Sequence, residues 1–463
     1  MTQPLGIPEL AGLASYRDAA RVGFSVEENV RRLLRFQWVE QRLMRLLVAH
    51  IPDTPEWEVK CALALQQWHC AEHADAIRRR IVEMRNPAPR LDEAPDAALD
   101  AFLGQLALCH GTAELLAGVH RVALPALASA HRQHLARTNP LVDHPTCRIL
   151  RVALEEWESD IDWGERALAA LLDREAERGA TDRVAAWTAH LAAYLQAAGG
   201  VAGDVPPAAR DALPLPAPRD ETRFAPTMHP RRDARFGGLY HFDFPPHVVY
   251  NAPQVPAEER TLALLCKRTL EMDVPEMMAS VITERADQPW QFYLDYSRQL
   301  WDEARHAMMG TVALEARGVD WTRIPLNIGF ALRLNLHATA IERQTMLYAI
   351  EQSLMPGETG KRYELETALE AGDVLAAHFQ DYDWADEVLH AGFGRRAMQR
   401  EGVSMADAME RAKEIHERTW AALDQYRHLD DRGEWWGEFV REVLGRESAA
   451  PAGSLGELRI ITE

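Results

Sequence analysis

The sequence is short of cysteine and of long apolar runs, and its net charge is not positive. Its five cysteines, Cys61, Cys70, Cys109, Cys147 and Cys266, stand apart, and none forms a Cys-x-x-Cys pair. That excludes a thiolate zinc site and a disulfide framework, leaving small buried residues of a reducing compartment. No stretch approaches the ~18 uninterrupted apolar residues of a membrane span, and the start, MTQPLGIPEL, has no basic region followed by an apolar run. The expected location is cytoplasmic, with no membrane partner. A formal net charge of -19 over 463 residues argues against nucleic acid as a partner. Strand-like alternation is scarce as well.

What is present is helical periodicity, rich in Ala, Leu, Arg and Glu. One segment interrupts it, Gly199 to Pro256, with Gly199-Gly200, Pro206-Pro207 and the aromatic run RFGGLYHFDFPPHVVYNAPQVP. The reading is all-α, with residues 1–198 an N-terminal helical domain and 199–256 a linker whose Tyr240–Tyr250 stretch forms a lid or wall. Residues 257–445 form a second helical domain, and 446–463 a loose tail. The two blocks read as diverged copies. Glu40 and Glu72 repeat the spacing of Glu271 and Glu303, and CHGTAE resembles LHATAIE. The first copy has Asp75 where the second has His306, so packing support or a wall is expected of it rather than metal binding.

The most informative pattern is a doubled one: Asp302-Glu303-Ala304-Arg305-His306 and Asp386-Glu387-Val388-Leu389-His390. Glu and His three apart share a helix face. Two such helices, with one Glu from each of two more, make a four-helix cage for two metal ions. Counting back from Gly318 to Glu303 and forward from Pro325 levels Glu342 with Glu303, with Glu351 as its rival. The proposed ligands are then Glu271, Glu303, His306, Glu342, Glu387 and His390. This oxygen and imidazole set suits iron or manganese. Asp302 and Asp386 are placed to accept from the ligand imidazoles, and Arg305 to neutralise excess carboxylate charge. Pro275, four residues after Glu271, predicts a kink at a ligand. The small residues Gly310 and Ala338, with Thr345, would leave room beside the metals.

A lone Glu-x-x-His on a helix is usually a solvated ion pair; the doubling is what gives the motif weight. Tyr296 and Tyr382 are proton or radical relay candidates beside the blander reading of core tyrosines. Met277, Met278, Met308 and Met309 read as packing before pocket. His131, His134 and His144 lie among Arg and Gln and read as surface.

The spacing of Glu271 to Asp302–His306, with the second half-motif at Asp386–His390, resembles that of ferritin-like dimetal-carboxylate oxygenases and oxidases. These include bacterial multicomponent monooxygenases, ribonucleotide reductase small subunits and small-molecule N-oxygenases. The resemblance covers the C-terminal 190 or so residues and fixes no subfamily. It implies tandem ferritin-like four-helix bundles and reductive activation of dioxygen at two iron ions, or a manganese–iron pair. A small organic substrate, an external electron donor and a possible homodimer complete the expectation. Two alternatives are ferroxidase or peroxide handling and a non-catalytic scaffold stabilised by metal.

Overall fold

The computed structural model describes residues 6–174, 179–205, 215–219, 224–356 and 360–450. Among these it is all-helical, with no strand. No helix among them is long and apolar enough to cross a membrane. The chain divides into two compact units: Met1–Leu47 with Gln66–Ala225, and Val48–Leu65 with Pro226–Glu463. The boundary at 198 therefore does not describe the contacts. Residues 48–65, from the end of one helix and the start of the next, group with the second unit, as does most of the expected linker.

In the first unit the long helices are α1 (Val26–His50), which runs past the unit boundary, α2 (Trp57–Met84), which starts before it, and α3 (His144–Arg174). Helix Leu124–Arg137 packs on α3. His131 and His134, expected at the surface, are fully buried on that helix, against the rings of Phe36 and Phe24 at 4.8 and 5.0 Å. Their three-residue spacing puts both on the inward face, while the intervening Arg132 and Gln133 face solvent.

In the second unit the chain runs through α4 (Ala257–Leu270), α5 (Asp273–Glu284), α6 (Trp290–Glu315), α7 (Gly329–His337), α8 (Ala340–Ser353), α9 (Lys361–Glu370), α10 (Val374–Arg400) and α11 (Met405–Ala421). Helix α6 packs on α4 and α10, and α8 on α10 and α11. The kink expected from Pro275 is an interruption over Glu271 and Met272. There the Glu271 N–H bonds to the Arg268 carbonyl in a tighter turn, 3.0 Å. A second break, at extended Ala338 and Thr339, separates α7 from α8. Thr339 and Glu342 cap α8 reciprocally, each side chain taking the other's backbone N–H. Asp373 caps α10 by accepting from the Ala376 N–H at 2.9 Å.

Gly310 serves a different purpose from the one its size suggests. A Cβ there would lie 2.7 Å from the Arg268 Cβ and 3.0 Å from the Leu265 carbonyl oxygen. It lets α6 and α4 approach closely and leaves no open room. Ala338 belongs to the helix break, and Thr345 is buried, bonded to the Ile341 carbonyl at 2.8 Å. Of the expected tail 446–463, Arg446, Ser448 and the Ala449 N–H all bond to buried Glu259, and 451–463 lie outside the described residues.

Gly310→Ala is expected to destabilise the protein by about 1–3 kcal/mol through overpacking at this crossing. Chemical denaturation of the two proteins measures it; equal midpoints would show that α4 yields without cost.

Candidate metal centre

Helices α6 and α10 carry the two copies of the doubled motif and pack on each other. On each, Glu and His three apart turn inward, and Glu303, His306, Glu387 and His390 are all buried. The preceding aspartates bind crosswise. His306 Nε2 lies 3.1 Å from Oδ2 of Asp386, and His390 Nε2 lies 3.3 Å from Oδ2 of Asp302. Each Asp thus orients the imidazole of the other motif, not its own. Arg305 ties the pair, donating to Asp302 and to Asp386, the latter at 2.7 Å. Arg298 adds a bond to Asp302 at 2.7 Å.

With Nε2–H committed outward, Nδ1 of each imidazole points inward, that of His306 toward Asp383 at 3.2 Å and that of His390 toward Glu303 and Glu387 at 3.4 Å, so each can give up a proton and offer a lone pair there. Neither Nδ1 has a well-aligned hydrogen bond, and neither do Glu351 Oε2 and Glu387 Oε2, although all four atoms are buried. Buried polar atoms without well-aligned partners are costly, and here they cluster. Glu303, Glu351, Glu387 and His390 form one group of potential ligands and Glu271, His306 and Asp383 another, with the ligand atoms in each within 4.8 Å of one another.

Glu351, the rival, takes the place assigned to Glu342. Counting depth from Pro325 assumes one unbroken helix, but the break at Ala338–Thr339 restarts it. Glu342 becomes the third residue of α8, and its carboxylate caps Thr339 and pairs with Arg418 at 2.6 Å. Glu351 is buried and accepts from Gln299 at 2.9 Å. Tyr382 is 57% exposed against His378 and does not reach the centre. Tyr296 is buried, stacked on Phe292 at 4.2 Å, and burial raises its phenol pKa.

Two participants escape a reading by the Glu-x-x-His pattern. Asp383 precedes Glu387 by four residues and His390 by seven, so its place on the same face of α10 was legible. Lys361, the first residue of α9, had no such signal. Its ammonium lies 2.9 Å from Asp383 and 3.0 Å from Glu387. Arg268 pairs with Asp383 and, at 2.8 Å, with Glu271.

Burial opposes charge throughout, and neighbours decide the outcome. Burial disfavours the His306 imidazolium, but Asp383, Asp386 and Glu303 outweigh it and raise its pKa to about 10. Against the same penalty, Asp302, Glu303 and Glu387 raise that of His390. Burial raises Glu351, and Glu387 beside it adds to the shift. Asp383 is lowered to about 2, burial being outweighed by Arg268, Lys361 and His306.

A cavity of about 210 Å³ adjoins the cluster. Glu271, Glu303, Glu351 and Glu387 form part of its wall, and most of the rest is apolar: Phe242, Tyr250, Phe330, Leu347, Trp420 and Leu423. Phe242 and Tyr250 come from the stretch expected as lid or wall. Met277, Met278, Met308 and Met309 do not line it, whereas Met346 does.

In the first unit, His73 stands between Glu40 at 3.3 Å and Glu156 at 2.7 Å. Trp157 packs edge-on against the His73 ring at 4.7 Å. Burial lowers the imidazole pKa, but the two glutamates overcome this and raise it to about 9.

No protein-family model, curated protein or solved structure matches this chain.

Asp386→Asn is expected to lower the His306 pKa by about a unit or more, because one stabilising carboxylate charge is lost. Histidine NMR titration of the metal-free protein reads it; an unchanged value would mean that Asp386 does not govern that imidazole.

Proposed function

We propose that the second unit is a ferritin-like dinuclear metal centre, iron or manganese–iron, that activates dioxygen to oxidise a small organic molecule in the adjoining cavity. The observation that carries this reading is the gathering of two inward Nδ1 atoms and buried carboxylate oxygens into two neighbouring groups of potential ligands beside a mostly apolar cavity. The donor set of hard oxygens with two imidazoles fits iron or manganese and not a thiolate zinc site.

Glu303, Glu351, Glu387 and His390 would hold one ion, and Glu271, His306 and Asp383 the other. When bound, the pair supplies electron transfer to dioxygen. Insertion of one oxygen atom, with the other leaving as water, takes two electrons and two protons from a donor outside the chain. The chain's own residues do the rest. Asp302 and Asp386 fix the imidazole tautomers, Arg268 and Lys361 offset carboxylate charge, and the apolar wall excludes water. Of the two relay candidates, Tyr296 is buried and Tyr382 is exposed. The apolar cavity favours an organic substrate over ferroxidase or peroxide handling.

Iron-supplemented protein is expected to hold about two metals per chain by elemental analysis, and an oxygen pulse on the reduced form to give a transient optical band. Glu351→Gln and Asp383→Asn should lower the metal content, and Glu342→Gln should leave it unchanged. Two metals in Glu351→Gln with a loss in Glu342→Gln would reverse the ligand assignment.

Metal uptake should also depend on pH. The His306 pKa, about 10 in the fold, is above its ordinary value, so the imidazolium stabilises the metal-free fold at low pH. That contribution is lost as pH rises from about 6.5 through about 10. A metal ligand must be neutral, so ferrous affinity should rise with pH over this range, with proton release. Calorimetry in buffers of different ionisation enthalpy counts the protons; none released would refute imidazole ligation.

A further inference from the structure

We infer that the cavity takes a small carboxylic acid, its carboxylate held by Arg333 and its apolar remainder lying along the aromatic wall toward the glutamates. The inference rests on the reading of this cavity as the substrate pocket.

Arg333, on α7, is 2% exposed and lines the cavity. Its Nη1 donates to the Thr419 hydroxyl at 2.6 Å, and Nη2 lies 3.4 Å from His416 Nδ1. Its Nε is buried without a hydrogen bond. No carboxylate among the described residues lies within ion-pair distance of it. The unit's other buried cations are paired: Lys60 and Arg232 with Glu276, Arg268 and Lys361 with Asp383, Arg260 with Glu370 and Arg343 with Glu284. Burying a charge without a counter-ion is costly, and burial lowers the Arg333 pKa to about 10 despite the field of Asp273. Asp273 lines the same cavity but accepts from the Phe330 N–H at 2.9 Å and faces Arg232 at 4.0 Å. It is not Arg333's partner.

The fork of N–H groups on a guanidinium matches a carboxylate. Phe330 and Trp420, each 5.6 Å from the guanidinium, flank it with aromatic faces. The other cation on the wall, Lys267, is committed to Glu364 at 2.6 Å. One uncompensated positive charge suits a monovalent carboxylate better than a phosphate dianion. The volume, about 210 Å³, falls below the ~300–1,000 Å³ typical of drug-sized ligands. With the acid anchored at Arg333, oxidation falls on the part of the molecule remote from the carboxylate.

The test is calorimetric binding to the full chain, metal-free and iron-loaded, with three probe pairs: phenylacetate, 3-phenylpropanoate and octanoate, each against its neutral amide. At least one acid should bind about 10- to 100-fold more tightly than its amide, as expected of a charge-assisted pair, in both metal states. Arg333→Gln should abolish the preference and Arg333→Lys retain part of it. The inference is overturned if no acid is preferred, if the preference survives in Arg333→Gln, or if it appears only with iron bound, which would mean coordination to the metal. The acid–amide comparison on the unaltered protein stands even where a variant misfolds. Metal counts on the same samples separate the two claims. An Arg333-dependent preference without two metals would sink the dimetal reading alone, and two metals without a preference would sink only the acid.

Discussion

Five carboxylates and two imidazoles, all buried except half-buried Glu271, are gathered in two neighbouring groups, and they impose the constraint that the second unit is built to meet. Two like charges 4 Å apart repel by about 4 kcal/mol even at an effective dielectric constant of 20, and burial adds a desolvation cost for each. The surrounding structure is largely compensation. Helix α9 brings Lys361 against Asp383 and Glu387, α4 brings Arg268 against Asp383 and Glu271, and α6 itself supplies Arg298 and Arg305 to the outer aspartates. The close α4–α6 crossing at Gly310 belongs to the same arrangement, because Arg268 is the residue that it admits.

The crossed aspartate–histidine pairs turn two local motifs into one device. Asp302 orients His390 and Asp386 orients His306, so neither helix can present its imidazole correctly without the other. Arg305 bridges both aspartates, and a shift of α6 relative to α10 would disturb both Nδ1 atoms at once. That coupling favours a site preorganised by packing over one assembled around its ligand. The first unit shows another solution at similar spacing: one imidazole between two glutamates, its pKa raised, with the Trp157 ring packed edge-on beside it. There a proton suffices to balance the charge.

The helices, and the part of the cluster carried by α6 and α10, were legible because they depend on spacing within one helix. Glu303, His306, Glu387 and His390 needed only the three-residue period, and the kink at Glu271 needed only Pro275. The error at Glu342 had a readable cause. Thr339-Ala340-Ile341-Glu342 is a capping-box sequence, which announces a helix start and so makes Glu342 its third residue instead of a ligand halfway along. Counting from Pro325 passed over that signal. Asp383 was equally readable from its place on the face of α10. Lys361 and Arg333 were not, since each acquires its role from partners far away in sequence: Asp383 and Glu387 for one, Thr419 and His416 for the other. Interactions of that kind have no period to detect.

The cluster's charge balance also bears on the cavity beside it. Left as bare carboxylates, the glutamates would repel any anion entering the same space. The pKa shifts oppose that. His306 and His390 are raised, as are Glu271 and Glu351, whereas Glu303, Glu387 and Asp383 are lowered, so the carboxylates that keep their charge do so beside cationic partners. Two divalent ions would displace the imidazole protons and supply positive charge in their place. In either condition Lys361 and Arg268 offset part of what remains, so the field over the cavity is weaker than a count of acidic residues suggests. An unpaired guanidinium across the cavity can then set the sign of what binds. Arg333 lacks the carboxylate partner that the unit's other buried cations possess, and it opens onto the space that the carboxylates border. A wall that is acidic in composition but partly compensated in charge, with a cation beside it that lacks a counter-ion, accommodates an anionic head with an apolar body.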